Sequence, residues 1–149
     1  GAALACEPRI PPTGRRSGQA IAAVMRQSLA QAGLAPHDIG HVNTHGLGSI
    51  ARDAIEASAI REVLGHVPVT SLKSYFGYLG AGSGLVEAIG SLLVLGGEPV
   101  PPTLNYERPD PACPVNVVRE GGFYAEQRAA MLLSDAMMGQ AAALVLCGE

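Results

Sequence analysis

The chain has 149 residues, 48% hydrophobic, 15% charged and only 4% aromatic, which is enough apolar material for the core of one domain. A net charge of −3 without a basic tract argues against a nucleic-acid partner, and no apolar run approaches the ~18 residues of a membrane span. Cys6, Cys113 and Cys147 are widely spaced and odd in number, which fits neither a disulfide framework nor a metal site and leaves a reducing, cytoplasmic setting as the expectation.

Gly1 to Glu7 reads as a strand from its first residue. Natural chains seldom begin inside an element, so a fragment, a processed chain or half of a split protein is expected. Pro8 to Arg16, with three prolines and two adjacent arginines, reads as a loop. Ser17 suits an N-cap, and residues 18–32 form an amphipathic helix with Ile21, Val24, Met25, Ser28 and Leu29 on one face. Gly33 is a natural stop. After a turn at Pro36 to Asp38, residues 39–44 read as a buried strand that ends at His45.

A Gly46-Leu47-Gly48 turn follows, and Ser49 starts a second helix over residues 50–64 that Gly65 closes. Pro68 to Leu72 is a short strand, and Lys73 to Gly84 is glycine-rich. The third helix, residues 83–95, has almost no polar face and is expected to be buried on most sides, as in a layer between two sheets. Pro99 to Pro114 is a stiff proline-rich loop, and Val115 to Val118 is a short strand. Residues 129–134 and 141–147 are apolar runs that read as an antiparallel hairpin. Strands alternating with helices indicate an α/β layered domain.

His45 carries the most chemical information. Open α/β sheets place ligand chemistry at the carboxyl ends of strands, and glycines beside it let a ligand approach the backbone. A neutral imidazole there can donate to a carbonyl oxygen that gains charge; the competing reading is a hydrogen-bonded structural histidine. Asp53 and Glu56, three apart on one helix face, read on their own as a solvated acidic face near a helix N-terminus. Glu87 lies inside the most apolar helix, where a carboxylate is costly unless paired, and Lys73 is the best partner. The glycines of residues 77–84 lack phosphate-loop and dinucleotide spacing, so no nucleotide is expected. Cys6 and Cys147 read as buried strand thiols, Cys113 as a loop residue, and none stands where a thiolate would be activated.

The order Asn43-Thr44-His45-Gly46, then Asp53 and Glu56, Lys73-Ser74 and Gly77, and Gly84 and Glu87 resembles the C-terminal half of β-ketoacyl synthases. So does Pro101-Pro102-Thr103-Leu104-Asn105-Tyr106-Glu107-Arg108-Pro109-Asp110-Pro111. The resemblance covers nearly the whole chain and implies a thiolase-like fold. Residues 1–149 would be the C-terminal half, a mixed five-stranded sheet with layered helices, one of them buried. Residues 1–8 would be the last strand of the preceding half.

The resemblance also implies a reaction. An acyl group on a cysteine condenses with a malonyl thioester that loses carbon dioxide, in fatty acid or polyketide biosynthesis. The substrates ride on the phosphopantetheine of acyl carrier protein or on coenzyme A, and no resident cofactor or metal is involved. His45 would assist decarboxylation and stabilise the thioester enolate, supported by Lys73 and Glu87.

Several positions depart from the family. Tyr78 stands where a second histidine is expected, and Leu47 and Ser49 stand where two threonines contact the phosphopantetheine arm. Asp135 to Gln140 replaces an aromatic, glycine-rich gating loop, and the family's nucleophilic cysteine belongs to the first half. Two functions therefore remain open. One is a condensing enzyme completed by its N-terminal half. The other is a non-catalytic subunit of the chain-length-factor type. Either way the isolated chain is expected to be inactive, to need that half or a related subunit, to meet acyl carrier protein and to dimerise.

Overall fold

The computed structural model describes residues 1–7 and 17–148; the loop expected at Pro8 to Arg16 lies outside the described residues. Six strands form one sheet: β1 (Ala2–Cys6), β2 (His41–Asn43), β3 (Pro68–Thr70), β4 (Asn116–Val117), β5 (Ala129–Asp135) and β6 (Gln140–Cys147). Their order is β1-β6-β5-β2-β3-β4. Strands β5, β2, β3 and β4 run parallel, whereas β1-β6 and β6-β5 are antiparallel. The five strands expected of the half-domain are all present, and β1 joins them along β6 as a sixth. The hairpin between residues 129 and 147 forms as expected.

Helices α1 (Gln19–Ala32) and α2 (Ile50–Leu64) pack on one face of the sheet. Ile21, Val24, Met25 and Leu29 of α1 and Ile60 and Leu64 of α2 share a core with Val42, Val69, Met131, Leu133 and Val145. The α1 N-terminus differs from expectation. Its cap residue is Gly18, at φ 83°, with no side-chain cap. Glu7, at the end of β1, supplies the acceptors instead: its carboxylate takes the N–H of Ser17 (2.5 Å) and of Ala20 (3.2 Å). A strand-end carboxylate thus satisfies donors that a local cap would otherwise take.

The other face carries α4 (Ser83–Leu95), which follows a short helical turn, α3 (Lys73–Phe76). Lys73 therefore opens α3 rather than lying in a loop. The expectation that residues 83–95 are buried on most sides is corrected. Helix α4 buries Ser83, Glu87, Ser91 and Val94 against the sheet and turns its larger apolar side outward. Leu85 is 69% exposed and Leu93 58%, with Ile89 and Leu92 also exposed. The sheet beside α4 is open too, with Leu4 and Leu144 exposed. Only one side of the expected double layer lies within this chain.

Cys6 and Cys147 are exposed, not buried as read from the sequence. Cys6 shares the outer face of the edge strand with Leu4, where no described residue covers it, and Cys147 ends β6. Among the described residues no helix is long and apolar enough to cross a membrane, and no cluster of metal-ligating side chains occurs.

Candidate active site

The site is assembled at the carboxyl ends of β2 and β3. Side chains alternate along β2, so Val42 joins the α1–α2 core while His41 and Asn43 meet α4. The Nε2 of His41 lies 3.4 Å from Ser91 Oγ, and the Asn43 amide donates to the Glu87 carbonyl at 3.2 Å. The polar side of α4 is thereby matched, residue by residue, to the polar side of the strand that leads into His45.

Two α2 carboxylates clamp the loop after β2. Glu56 Oε1 accepts the His45 N–H at 2.7 Å, and Oε2 accepts the Gly46 N–H at 3.0 Å. Asp53 Oδ1 accepts the Leu47 N–H at 3.3 Å. The solvated acidic face read from Asp53 and Glu56 alone is thus overturned: Glu56 is buried and both carboxylates shape the loop. Burial pushes the Glu56 carboxyl up to about 7 against the opposing pull of its two N–H donors, and burial also raises Asp53. Gly46 has φ 38°, and a Cβ there would sit 2.7 Å from Ser71 Oγ and 2.9 Å from Thr44 Oγ1. Only glycine lets the loop approach β3 this closely.

The expected ion pair is present: Lys73 Nζ donates to Glu87 Oε1, both side chains almost wholly buried. Burial raises the Glu87 carboxyl, while its hydrogen bond from Lys73 and the ammonium's charge pull it down. The pair ties α3 to α4 beneath the loop.

The His45 side chain is 6% exposed. Burial lowers its pKa to about 4; Asp135 pulls upward, while Lys73 and Arg52 push downward. The ring is therefore neutral at physiological pH. Its Nε2 lies 3.5 Å from Asp135 Oδ1, and Nδ1 has no hydrogen-bond partner among the described residues. The Asp135 carboxylate is itself held by Arg52 Nη2 at 2.8 Å. Tyr78 meets the imidazole edge-on, with ring centroids 6.2 Å apart and planes at 81°. Sequence reading singled out neither Arg52 nor the approach of Asp135.

A cleft of about 390 Å³ opens beside this cluster, lined by Leu47, Lys73, Ser74, Tyr78 and Thr103 to Tyr106. Its far wall is laced to the α3 turn: Thr103 Oγ1 accepts the Ser71 N–H (3.0 Å), and Ser74 Oγ accepts the Leu104 N–H (3.0 Å). These bonds account for the position of the Pro101 to Tyr106 segment. Leu47 lines the cleft. Ser49 instead stands at the start of α2, where its carbonyl accepts the Asp53 N–H at 2.8 Å. A second, more apolar cavity of about 270 Å³ lies between α2 and β3 and includes Cys113. Burial, with Asp110, Asp53 and Glu56 nearby, pushes the Cys113 thiol up, the opposite of what a nucleophile needs.

Residues 5–107 match the sequence model of the family described as "Beta-ketoacyl synthase, C-terminal domain". The chain is 38% identical over 111 residues to 3-oxoacyl-[acyl-carrier-protein] synthase 2 of Synechocystis sp., covering 72% of this chain and 26% of that protein. It is 34% identical over 137 residues to putative polyketide beta-ketoacyl synthase 1 of Streptomyces halstedii, covering 89% and 32%. The chain thus spans about a quarter to a third of the length of these curated relatives. Among solved structures, the ishigamide ketosynthase/chain length factor superposes at TM-score 0.90 with 29% identity, covering 100% of this chain and 37% of that one. A type II polyketide ketosynthase solved with its acyl carrier protein superposes at 0.88 with 27% identity, covering 100% and 38%. The mixed sheet with its packed helices has the thiolase-like fold of these ketosynthases, and the chain belongs to the β-ketoacyl synthase family as its C-terminal domain.

Proposed function

We propose that this chain is the C-terminal part of a β-ketoacyl synthase-type acyltransferase that performs decarboxylative Claisen condensation in fatty acid or polyketide biosynthesis. The observation that carries this reading is the buried constellation at one strand end: neutral His45, the Lys73–Glu87 pair and the Glu56 clamp, beside an open cleft. A neutral imidazole can donate a hydrogen bond to a thioester carbonyl as it becomes an enolate, and a fixed donor is worth most in a water-poor site. The Lys73 ammonium adds a positive field at the same place, and Glu87 keeps it in position. Tyr78 takes the place of the second imidazole as a single phenolic donor. Leu47 on the cleft wall would meet the phosphopantetheine arm of acyl carrier protein or coenzyme A, whereas Ser49, at the start of α2, stands off that wall.

The nucleophile is assigned to the remainder of the protein or to a partner. Cys6 and Cys147 are exposed strand residues, and Cys113 lies in the second cavity with a raised pKa. The outward apolar side of α4 and the open sheet beside it form the surface for the N-terminal half or a related subunit, and the working assembly is a cytoplasmic dimer with no resident cofactor. Residues 1–8 would close the preceding half.

A second reading, a non-catalytic subunit of the chain-length-factor type, is favoured by Tyr78 in place of histidine. Condensation by the complete assembly separates the two. If this domain is catalytic, His45→Ala lowers the rate by about 10²-fold or more, whereas Tyr78→His preserves or raises it. If it is a scaffold, both variants leave the partner's activity unchanged.

A further inference from the structure

The imidazole of His45 is sealed, and the group that seals it belongs to this chain. Asp135 ends β5, and one carboxylate oxygen faces His45 Nε2 at 3.5 Å. That is long for a hydrogen bond but short for two opposed charges or dipoles. Arg52, from the first turns of α2, holds the same residue twice: Nη2 lies 2.8 Å from Asp135 Oδ2 and 3.1 Å from the Asp135 carbonyl. The loop that follows is fixed at its other end. Gly139 accepts the Glu7 N–H at 2.9 Å, and a Cβ on Gly139 would fall 2.0 Å from the Glu7 carbonyl. Neither the cleft nor the second cavity reaches the imidazole.

A carboxylate that faces Nε2 and is held there by Arg52 favours the tautomer with its proton on Nε2. It then offers that proton an acceptor. A substrate carbonyl needs the same donor. We infer that Asp135, latched by Arg52, occupies the acceptor position on His45 that a thioester oxygen would take, so that the site is self-occluded until the Asp135 carboxylate leaves Nε2. The inference rests on the condensing-domain reading for its substrate, while the latch itself is a property of the fold. Opening requires the Arg52–Asp135 pair to break. Arg52 is therefore a positioning residue, holding Asp135 against His45.

Carbethoxylation by diethyl pyrocarbonate, read on each histidine peptide by mass spectrometry, tests the latch in the complete protein. His37 and His66 are exposed and report reagent activity, and buried His41 reports unfolding. His45 labels slowly in the parent and about tenfold faster or more in Arg52→Ala and Asp135→Ala, with His41 still protected. If either variant also exposes His41, Asp135→Asn, which keeps the shape and removes the charge, carries the comparison and labels faster than the parent. Equal His45 rates in the parent and in the folded variants overturn the latch. Decarboxylation of a malonyl thioester is followed in the same samples and rises with labelling. Faster labelling without decarboxylation in any form leaves the latch standing and removes the condensing reading. Full decarboxylation in the parent, unmoved by the variants, removes the latch and keeps that reading.

Discussion

Replacing Glu87 with Leu isolates the energetics of the buried pair. The Lys73 and Glu87 side chains are 5% and 2% exposed, so neither can be rescued by water once its partner is gone. Removing one member of such a pair costs about 3–5 kcal/mol, because an uncompensated charge is left in a poorly solvated place. The substitution spares the other link at this position: Asn43 donates to the backbone carbonyl of residue 87, which leucine retains. With a urea slope of about 2 kcal/mol per molar, a loss of about 4 kcal/mol lowers the unfolding midpoint by roughly 2 M. Protein concentration must be held fixed, since association shifts apparent stability.

The double variant Lys73→Met/Glu87→Leu separates charge from shape. It removes both charges and keeps similar volume, so its stability should return to within about 1 kcal/mol of the parent or exceed it. Condensation should nevertheless be lost, because the ammonium's field goes with the pair. A single-variant midpoint shift below about 0.5 M, or a double variant no more stable than the single, would refute the reasoning. In that case the pair is solvated in the working protein, and its electrostatic role at the site fails with it.

The buried titrating groups give the fold a pH signature. Glu56 moves from 4.5 to about 7, so the folded chain holds a proton that the unfolded chain has released, and stability falls by about 3 kcal/mol as pH rises across that window. His41 and His45 move from 6.5 to about 4, so the unfolded chain gains protons that the folded one refuses, and each adds about 3 kcal/mol of stability as pH rises from 4 to 6.5. Because the two histidines together outweigh Glu56, denaturation across pH should show stability rising from pH 4 to about 7 and then levelling off, and Glu56→Gln should steepen the rise between 4.5 and 7; an unchanged slope in that variant discards the assignment. The outward side of α4 should drive association. Sedimentation of the chain alone should find oligomers or aggregates, relieved by Leu85→Gln/Ile89→Gln/Leu93→Gln, and a compact parent monomer at low concentration would count against a missing covering layer.

Much of the fold was legible because it rests on local periodicity and punctuation. The boundaries of α2 and α4, residues 50–64 and 83–95, agree with those read from the sequence, since each lies between a small or capping residue and a glycine. Lys73 and Glu87 were readable as a pair because a carboxylate in so apolar a helix needs a counter-charge. The role of Glu56 was hidden, because the spacing of Asp53 and Glu56 suits a wet helix face as well as a backbone clamp. Only the turn of the Gly46 loop over α2 decides between them. The orientation of α4 was hidden for a related reason. Its apolar residues outnumber its polar ones, so composition alone assigned it to a core. Yet its inward contacts are Ser83, Glu87 and Ser91, one turn apart, matched to His41 and Asn43 on β2. Burial within this chain selects the polar stripe, and the hydrophobic side is left for another layer.

The approach of Asp135 to His45 follows from strand register, which no local pattern reveals. Strands β2 and β5 are parallel neighbours, with Asn43 opposite Leu132. Continuing that register brings the residue two beyond Asn43 to the level of Ser134, next to Asp135. The two side chains are ninety positions apart in sequence, but the pairing makes their meeting a geometric consequence. Arg52 reaches the same point because Glu56 and Asp53 draw the His45 loop onto the start of α2. The carboxylates that place the imidazole therefore also bring up the guanidinium that holds Asp135 against it. Weakening the clamp with Glu56→Gln should loosen the latch as well and speed labelling of His45. If the Glu56→Gln and Arg52→Ala effects on labelling are independent, the two devices are separate; if the double variant labels no faster than Arg52→Ala alone, the clamp acts through the latch.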